Sequence, residues 1–386
     1  MYDGIKIECA ISDPRKWDAS LRNIGKYDEA TGEVLPFGSE ASERALKFYK
    51  TPSATGTRYT IQGSLHRYAR NGGTNSDDFT LAEIHETIAN LRDTFGIIPE
   101  KSKINNFEFG VNVLLPQGIT AEEFKKYIVS AYTRTFEKMN QRGPIVGYIA
   151  EFEEFSIKIY DKGMQAETGE TQLLRVEVKV MRTRWLEQYG IINTGASLYI
   201  SDLLRAETIH KLGDILLNKV SSLICTPRNL DVKKLTPKEQ LTYYECRDAR
   251  SWEEWNSKQR ERKKQQLHKI FLKVGQSDPV DVLGQLVAEK WRELSRFKPI
   301  VDGPKNPQKD AISTVVVVGI CDLIRQIIIE QIGLFGSWFT TTHAQRQRSI
   351  LNHQPRGEPL LTAISTPEVK VGFRRWIDIN IRSPDN

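Results

Sequence analysis

The sequence predicts an α+β fold, with a largely antiparallel sheet that carries helices on one face, followed by a mainly helical C-terminal region. Segments of alternating apolar and polar residues, typical of strands, recur as far as residue 181. Helical segments interrupt them in the order strand, helix, strand, strand, which is typical of helices on one face of an antiparallel sheet. From Ser201 onward the spacing of apolar residues is helical.

Two strands are predicted near the N-terminus, GIKIECAI at 4–11 and RYTIQGSLHRYA at 58–69, separated by a Gly, Ser and Pro-rich stretch that we expect to be irregular. The second strand would place His66 on the same face as Ser64. A helix is then predicted from Thr80 to about residue 95, because Thr80 and Glu83 form a capping box.

The central segment carries the clearest strand pattern. NNFEFGVNVLLP at 105–116 alternates strictly, and EFSIKIYDK at 154–162 and LLRVEVKVM at 173–181 follow the same rule. A second helix is expected between the first two of these strands, from Thr120 to about Met139. These three strands and the helix complete the predicted α+β unit.

Three regions are predicted along the chain: residues 1–224, a helical region at 225–300 and a C-terminal region of unknown role at 301–386. The segment DGPKNPQKD at 302–310 resembles a linker. The apolar stretch at 312–339 contains Asp322, Arg325 and Glu330, at intervals too short for a spanning helix, so a buried helix is expected and not membrane contact.

Composition favours a globular protein of the reducing cytoplasm. Of the 386 residues, 39% are hydrophobic, four scattered cysteines form neither a zinc motif nor a disulfide framework, and the N-terminus lacks the pattern of a signal peptide. The net charge of +6 suits a polyanionic partner.

The positive charge is concentrated in KQRERKKQQLHKIFLK at 258–273, which has seven Lys or Arg against one Glu. This run predicts contact with DNA phosphates, and a solvated helix face is the alternative. The candidate DNA-binding residues here are Lys258, Arg260, Arg262, Lys263 and Lys264. Trp252 and Trp255, just before the run, would either stack on bases or belong to a core.

The polar face of the three central strands is the candidate site. If the apolar faces cover the helices, the opposite face collects two carboxylates, a tyrosine and several cations. Its members are Glu108, Asn112, Ser156, Lys158, Tyr160, Arg175, Glu177 and Lys179. A solvated polar face is the ordinary alternative.

These residue types suit phosphodiester chemistry. The phenol of Tyr160 is a weak nucleophile because its usual pKa is near 10, and Lys158 and Lys162 flank it with charges that would favour the phenolate. Glu108 and Glu177 could hold Mg²⁺ or Mn²⁺ to polarise a scissile phosphate.

Further candidates are less specific. His66 or Asp161 could add a metal ligand, although no His-x-His pair is present. Arg67 and Arg70 precede a glycine pair, where a DNA backbone could approach closely, and a plain turn is the alternative.

The runs FSIKIYDKGMQ and QLLRVEVKVMRTRWLEQYGI resemble the gene II and gene X family of filamentous-phage and plasmid replication proteins. The resemblance implies that Tyr160 with Lys162 forms the nucleophile strand, that Arg175 and Glu177 form the following strand, and that Glu108 is an upstream acidic residue. One departure is Gln165, where family members often have glutamate.

The resemblance implies a rolling-circle replication initiator, an endonuclease that nicks and rejoins one DNA strand through a 5′-phosphotyrosine with Mg²⁺ or Mn²⁺. Its expected partners are single-stranded or supercoiled origin DNA, a host helicase and a polymerase. The region 1–224 would be catalytic and 225–300 DNA-binding. A non-catalytic DNA-binding regulator and a relaxase or transposase remain the alternatives.

Overall fold

The computed structural model describes residues 1–21, 24–27, 34–139 and 143–296, with backbone alone for 24–27 and 34–38. Within these residues, ten strands form one sheet. In chain order its members are β1 Tyr2–Cys9, β2 Ile24–Tyr27, β3 Val34–Glu43, β4 Leu46–Ser53, β5 Gly56–Ser64, β6 Lys103–Leu114, β9 Glu137–Met139, β10 Gly147–Glu151, β11 Phe155–Asp161 and β12 Leu173–Val180. A second sheet has three short strands, β7 Ile128–Ala131, β8 Arg134–Thr135 and β13 Leu223–Cys225.

The described α-helices fall between and after these strands. They are α1 Pro14–Ser20, α2 Leu65–Ala69, α3 Leu81–Phe95, α4 Ala121–Lys125, α5 Lys162–Gln165, α6 Ala206–Ser221, α7 Pro237–Arg247, α8 Ala249–Glu254, α9 Ser257–Val274 and α10 Pro279–Ser295. In the same described part of the chain, short 3₁₀ helices cover Thr183–Tyr189, Ile200–Leu204 and Val232–Lys234.

The large sheet has the strand order β2-β3-β4-β5-β1-β6-β12-β11-β10-β9, and every described pairing within it is antiparallel. Its apolar face packs with α3, α6 and α10 into one core, in which Trp291 of α10 meets Phe109 of β6 edge to face. The α+β prediction with an antiparallel sheet is confirmed.

A second, smaller core lies within 224–274. It contains Trp252, which is 1% exposed, and Trp255 packs against it. The alternative that these tryptophans belong to a core is therefore the correct one. Because α10 rejoins the first core, the region 225–300 contributes to both cores, and its separate role stays a prediction.

The expected helix from Thr120 to Met139 is wrong. Only α4 forms, behind a capping box in which Thr120 accepts from the Glu123 N–H. Ile128 and the following residues instead pair with β13 as β7. A backbone partner distant in sequence has overridden the helical spacing of the apolar residues here.

The described part of the stretch between the first two predicted strands contains regular elements, which corrects the expectation of an irregular segment. Asp13 accepts a hydrogen bond from the Arg15 N–H and caps α1, and the strands β3 and β4 pair along Ser39 to Lys50. The predicted strand at 58–69 ends early, because Ser64 caps α2. His66 therefore lies on a helix and not on the strand face with Ser64.

Other predicted elements have shifted ends. The strand predicted at 154–162 ends at Asp161, and α5 begins at Lys162. The helix predicted from Ser201 begins with the 3₁₀ turn Ile200–Leu204, and α6 ends before β13. The α3 prediction is confirmed, with the capping box formed and Gly96 in the left-handed region at φ 72°.

The predicted linker at 302–310, the apolar stretch at 312–339 and the whole region 301–386 lie outside the described residues. Among the helices that are described, none has the length and apolar character needed to cross a membrane.

Candidate functional site

The three strands β6, β12 and β11 align the predicted polar residues in rows. Tyr160 pairs with Arg175, which in turn pairs with Asn112, and Lys158 pairs with Glu177 in the next row. Because side chains on one strand alternate between faces, residues at these paired positions share one face of the sheet. These side chains therefore lie together on one face of the sheet, as predicted.

Lys158 lies at the centre of this cluster. Its Nζ donates to Glu108 Oε1 and to Glu177 Oε1, each at 2.8 Å. The Lys158 side chain is 15% exposed and that of Glu177 only 2%, so the alternative of a solvated face is wrong at this centre. Burial disfavours the ammonium, yet the attraction of Glu177 and Glu108 outweighs it and raises the pKa of Lys158 to about 12.

The carboxylate of Glu177 has cations on both oxygens. Arg175 Nε donates to Oε2 at 2.7 Å, opposite the Lys158 contact on Oε1. Burial opposes its ionisation, but the charges of Arg175 and Lys158 hold the pKa of Glu177 well below its usual range. Glu177 is therefore ionised and fixed in position.

Tyr160 lines the cavity above these groups and is 6% exposed. Its hydroxyl donates to Glu177 Oε2, with 3.4 Å between the oxygens. Burial and the neighbouring charge of Glu177 raise the pKa of Tyr160 well above 10, so the phenol is neutral. The flanking lysines were expected to favour the phenolate, but Lys158 binds carboxylates instead.

Lys162 is fully buried beside the same ring. Its Nζ donates to Asn75 Oδ1 and Gln165 Oε1, each at 2.6 Å, and lies 5.8 Å from the centre of the Tyr160 ring. Burial, with repulsion from Arg175, lowers the pKa of Lys162 to about 8. Because residue 165 is glutamine and not the glutamate that is frequent in the family it resembles, the ammonium of Lys162 is bound by neutral amide oxygens.

Asp3 belongs to the site and was missed by the sequence reasoning. Its carboxylate accepts from Ser64, from Asn75 and, at 3.4 Å, from Arg175 Nη2. Strand alternation places Asp3 on the apolar face with Ile5, but the β1 and β6 register shifts between Tyr2 and Ile5. The irregularity has no sequence signal that we recognise.

Two other predicted ligands do not converge on the site. Asp161 Oδ1 accepts from the Met164 N–H at 2.8 Å and caps α5. His66 is buried, with its Nε2 2.9 Å from Asp77 Oδ1, and burial lowers its pKa to about 4. Neither side chain is placed to share a cation with Glu108 and Glu177.

The donor set at the centre does not fit a divalent cation, because Lys158 already lies between the two carboxylates. Within the described ranges, one group of three possible ligands comes close enough for a metal, and it lies at the junction of α9 and α10. Its members are His268, Asp278 and Asp281.

The site opens into a cavity of about 360 Å³. Four basic and three acidic side chains line it, namely Arg67, Lys158, Lys162, Lys179, Asp3, Glu108 and Glu177. Lys179, at the rim, is 3.3 Å from Glu108 Oε1. A polar cavity with excess positive charge suits a phosphate group.

The two arginines of the glycine-containing turn differ in role. Arg67 lines the cavity while its guanidinium donates to the carbonyls of Gly73 and Gly72 at 2.9 and 3.1 Å. Arg70 is paired with Asp77 at 2.6 Å and Glu83 at 2.8 Å. Arg70 therefore stabilises the turn.

The basic residues of α9 also fall into two groups, those bound by other parts of the protein and those that are exposed. Lys263 pairs with Glu245, Lys264 donates to the Ser221 carbonyl, and Arg260 donates to the Trp252 carbonyl. Lys258 and Arg262 are exposed and form no ion pair with any described residue. Because they are four positions apart, these two face the same side of the helix.

Comparison with known proteins adds little to this geometry. No family model and no curated protein matches the chain. A solved structure described as a rolling circle replication initiator protein from Geobacillus stearothermophilus aligns with 72% of this chain and 97% of its own, at 10% identity and a TM-score of 0.33. At that TM-score the similarity supports no functional argument.

Proposed function

We propose that this chain cuts and rejoins one DNA strand through a covalent bond to Tyr160, in the initiation of rolling-circle replication of a phage or plasmid. The observation that supports this most is the hydrogen bond of Tyr160 to Glu177 at the cavity, with Glu177 fixed by Arg175 and Lys158. A nucleophile, a base within hydrogen-bond reach and a third group that orients the base form the usual arrangement for nucleophilic catalysis.

In the proposed reaction the Tyr160 oxygen attacks the phosphorus of one phosphodiester. The new P–O bond forms as the bond to the 3′-oxygen breaks. The phenolic proton moves to Glu177 and from there to solvent, and the leaving 3′-oxygen takes up a proton from solvent. Lys162 and Lys179, which line the cavity, offset the charge on the phosphate. Attack of a 3′-hydroxyl on the phosphotyrosine reverses these steps and reseals the strand.

The reaction is tested with single-stranded oligonucleotides that tile the DNA flanking the gene, incubated with the full chain and Mg²⁺. We expect a denaturation-resistant adduct that retains a 3′-end label and not a 5′-end label, because the downstream fragment carries the 5′-phosphate. Tyr160→Phe should abolish it. Tyr148→Phe, on the neighbouring strand opposite Ile159, is the matched control and should leave it intact. An adduct that persists in Tyr160→Phe contradicts the assignment.

A DNA-binding regulator without catalysis is the second candidate. The low exposure of Tyr160 and the closed ion-pair network around Glu177 favour it, since such a network can be purely structural. DNA binding without any adduct, across all tiles and with either Mg²⁺ or Mn²⁺, would select this candidate. A relaxase would perform the same reaction, and transfer genes beside this gene would identify it.

A further inference from the structure

The contact between Lys158 and its two carboxylates has the form of a cation site. The ammonium is equidistant from Glu108 Oε1 and Glu177 Oε1 at 2.8 Å, and the three side chains come from three adjacent strands. Carboxylates that converge on one point usually bind a cation, because their mutual repulsion must be offset. Here a side chain of the protein provides that cation.

The other cations that contact these carboxylates already offset most of their negative charge, so little charge remains to attract a second cation. Arg175 binds the other oxygen of Glu177, Lys179 binds Glu108, and Asp3 accepts from Arg175. A divalent ion that entered would meet at least three fixed positive charges within a largely buried cluster. Like charges at such separations repel strongly when water is excluded.

We infer that Lys158 is the resident cation of this site, so that the native chain binds no divalent ion between Glu108 and Glu177 and its strand transfer needs none. The second half of this inference rests on the proposed function. The first half does not, because ion binding is measured without DNA. Lys158 touches both carboxylates and no reacting atom, so it is a positioning residue.

Binding is tested by titrating the full chain with Mn²⁺ and following the free ion by electron paramagnetic resonance. Every sample carries His268→Ala, which disrupts the described His268, Asp278 and Asp281 group. We expect Lys158→Ala to gain one Mn²⁺ site that this background lacks, with binding at least roughly tenfold tighter than any residual Mn²⁺ binding by the background. Lys179→Ala also removes a cation from Glu108 but leaves Lys158 in place, so it should create no site.

Lys158→Met is the second variant, because it retains most of the aliphatic stem if the alanine variant does not fold. Mn²⁺ should raise the melting temperature of a folded Lys158 variant and not that of the background. A Mn²⁺ site in the background that Glu108→Gln abolishes would overturn the inference, and this arm does not require a Lys158 variant to fold.

The cleavage arm compares adduct formation by the native chain in chelator and in Mg²⁺. We expect equal yields within about twofold, whereas a Lys158 variant should lose activity in chelator and recover at least part of it with Mn²⁺. Adduct formation by the native chain that strictly requires the metal overturns the inference and leaves the proposed function standing. The absence of adduct under every condition removes the proposed function, while the Mn²⁺ titration still decides the binding claim.

Discussion

Lys162 shows at the scale of one residue how burial makes a lysine sensitive to pH. Its pKa is lowered to about 8, and its ammonium donates to the amide oxygens of Asn75 and Gln165. Below this pKa the side chain is charged and attracts a phosphate; as pH rises through it, the proton and the attraction are lost. A bound phosphate favours the charged form, so the midpoint with DNA lies at or above about 8.

We therefore expect the affinity of the native chain for single-stranded DNA to fall between pH 7 and pH 10. The fall should be about tenfold larger than the fall measured for Lys162→Arg over the same range. Fluorescence anisotropy of a labelled oligonucleotide at fixed ionic strength measures it. Lys162→Arg is the control, because a guanidinium stays charged over this range. Equal pH profiles for the native chain and Lys162→Arg would contradict the role of Lys162.

Residues that depend on strand alternation alone were predictable from sequence. Glu108, Tyr160, Arg175 and Glu177 share a face as expected, because each lies on a regular strand. Asp3 was not predictable, since a register shift between β1 and β6 changes the face on which it lies. The assignment of Lys158 to carboxylates was also inaccessible, because it depends on distances between side chains of three strands.

At the scale of the strands, Gly110 allows β6 and β12 to pair closely beside the site. A Cβ added to Gly110 would lie 2.1 Å from the Val176 carbonyl oxygen and 2.7 Å from the Cα of Glu177. Both contacts are with backbone, which cannot move without displacing β12. The position opposite Glu177 therefore requires the absence of a side chain.

Gly110→Ala is expected to lower the free energy of unfolding by about 1 to 3 kcal/mol, the usual range for a forced fit in a packed interior. Urea unfolding followed by circular dichroism measures it. Gly284 in α10 is the control, because an added Cβ there meets nothing within 4 Å, and alanine should stabilise the helix by about 0.5 to 1 kcal/mol. A neutral Gly110→Ala would show that the β6 and β12 ladder is more adaptable than the structure indicates.

Elements with their own end signals were predicted well, and those that depend on distant partners were not. The capping box of Thr80 and Glu83 fixed the start of α3, and Gly96 fixed its end. The segment after Thr120 has a capping box too, but it continues as a strand because β13, nearly a hundred residues later, supplies backbone partners. Local spacing cannot reveal such a pairing.

At the scale of the whole molecule, the chain has a net charge of +6, and the basic side chains of α9 differ in whether other parts of the protein bind them. On α9 several cations are held by the protein itself, whereas Lys258 and Arg262 are exposed on one face without a described partner. The sequence predicted the basic run as a unit. Which of these residues are bound by other parts of the protein depends on the positions of α6, α7 and α8.

The affinity for DNA falls as the salt concentration rises, and each phosphate contact makes the slope of log affinity against log salt steeper. Lys258→Ala and Arg262→Ala should each make this slope shallower by about 0.7 to 0.9, because each removes one phosphate contact. DNA binding between 50 and 300 mM salt, about the range in which counterion release is measured, tests this. Lys263→Ala is the control, because its ammonium is paired with Glu245, and its slope should change less. An equal effect of all three variants would contradict the proposed division of the helix.

The covalent role of Tyr160 is tested most directly by locating the DNA on the protein. The adduct formed with a cleaved oligonucleotide is digested with nuclease and protease, and the peptides are sequenced by tandem mass spectrometry. The nucleotide phosphate should be found on the tyrosine of the peptide that contains Tyr160 and Asp161, and on no other tyrosine. A nucleotide on Tyr148 or on any other residue would contradict the account.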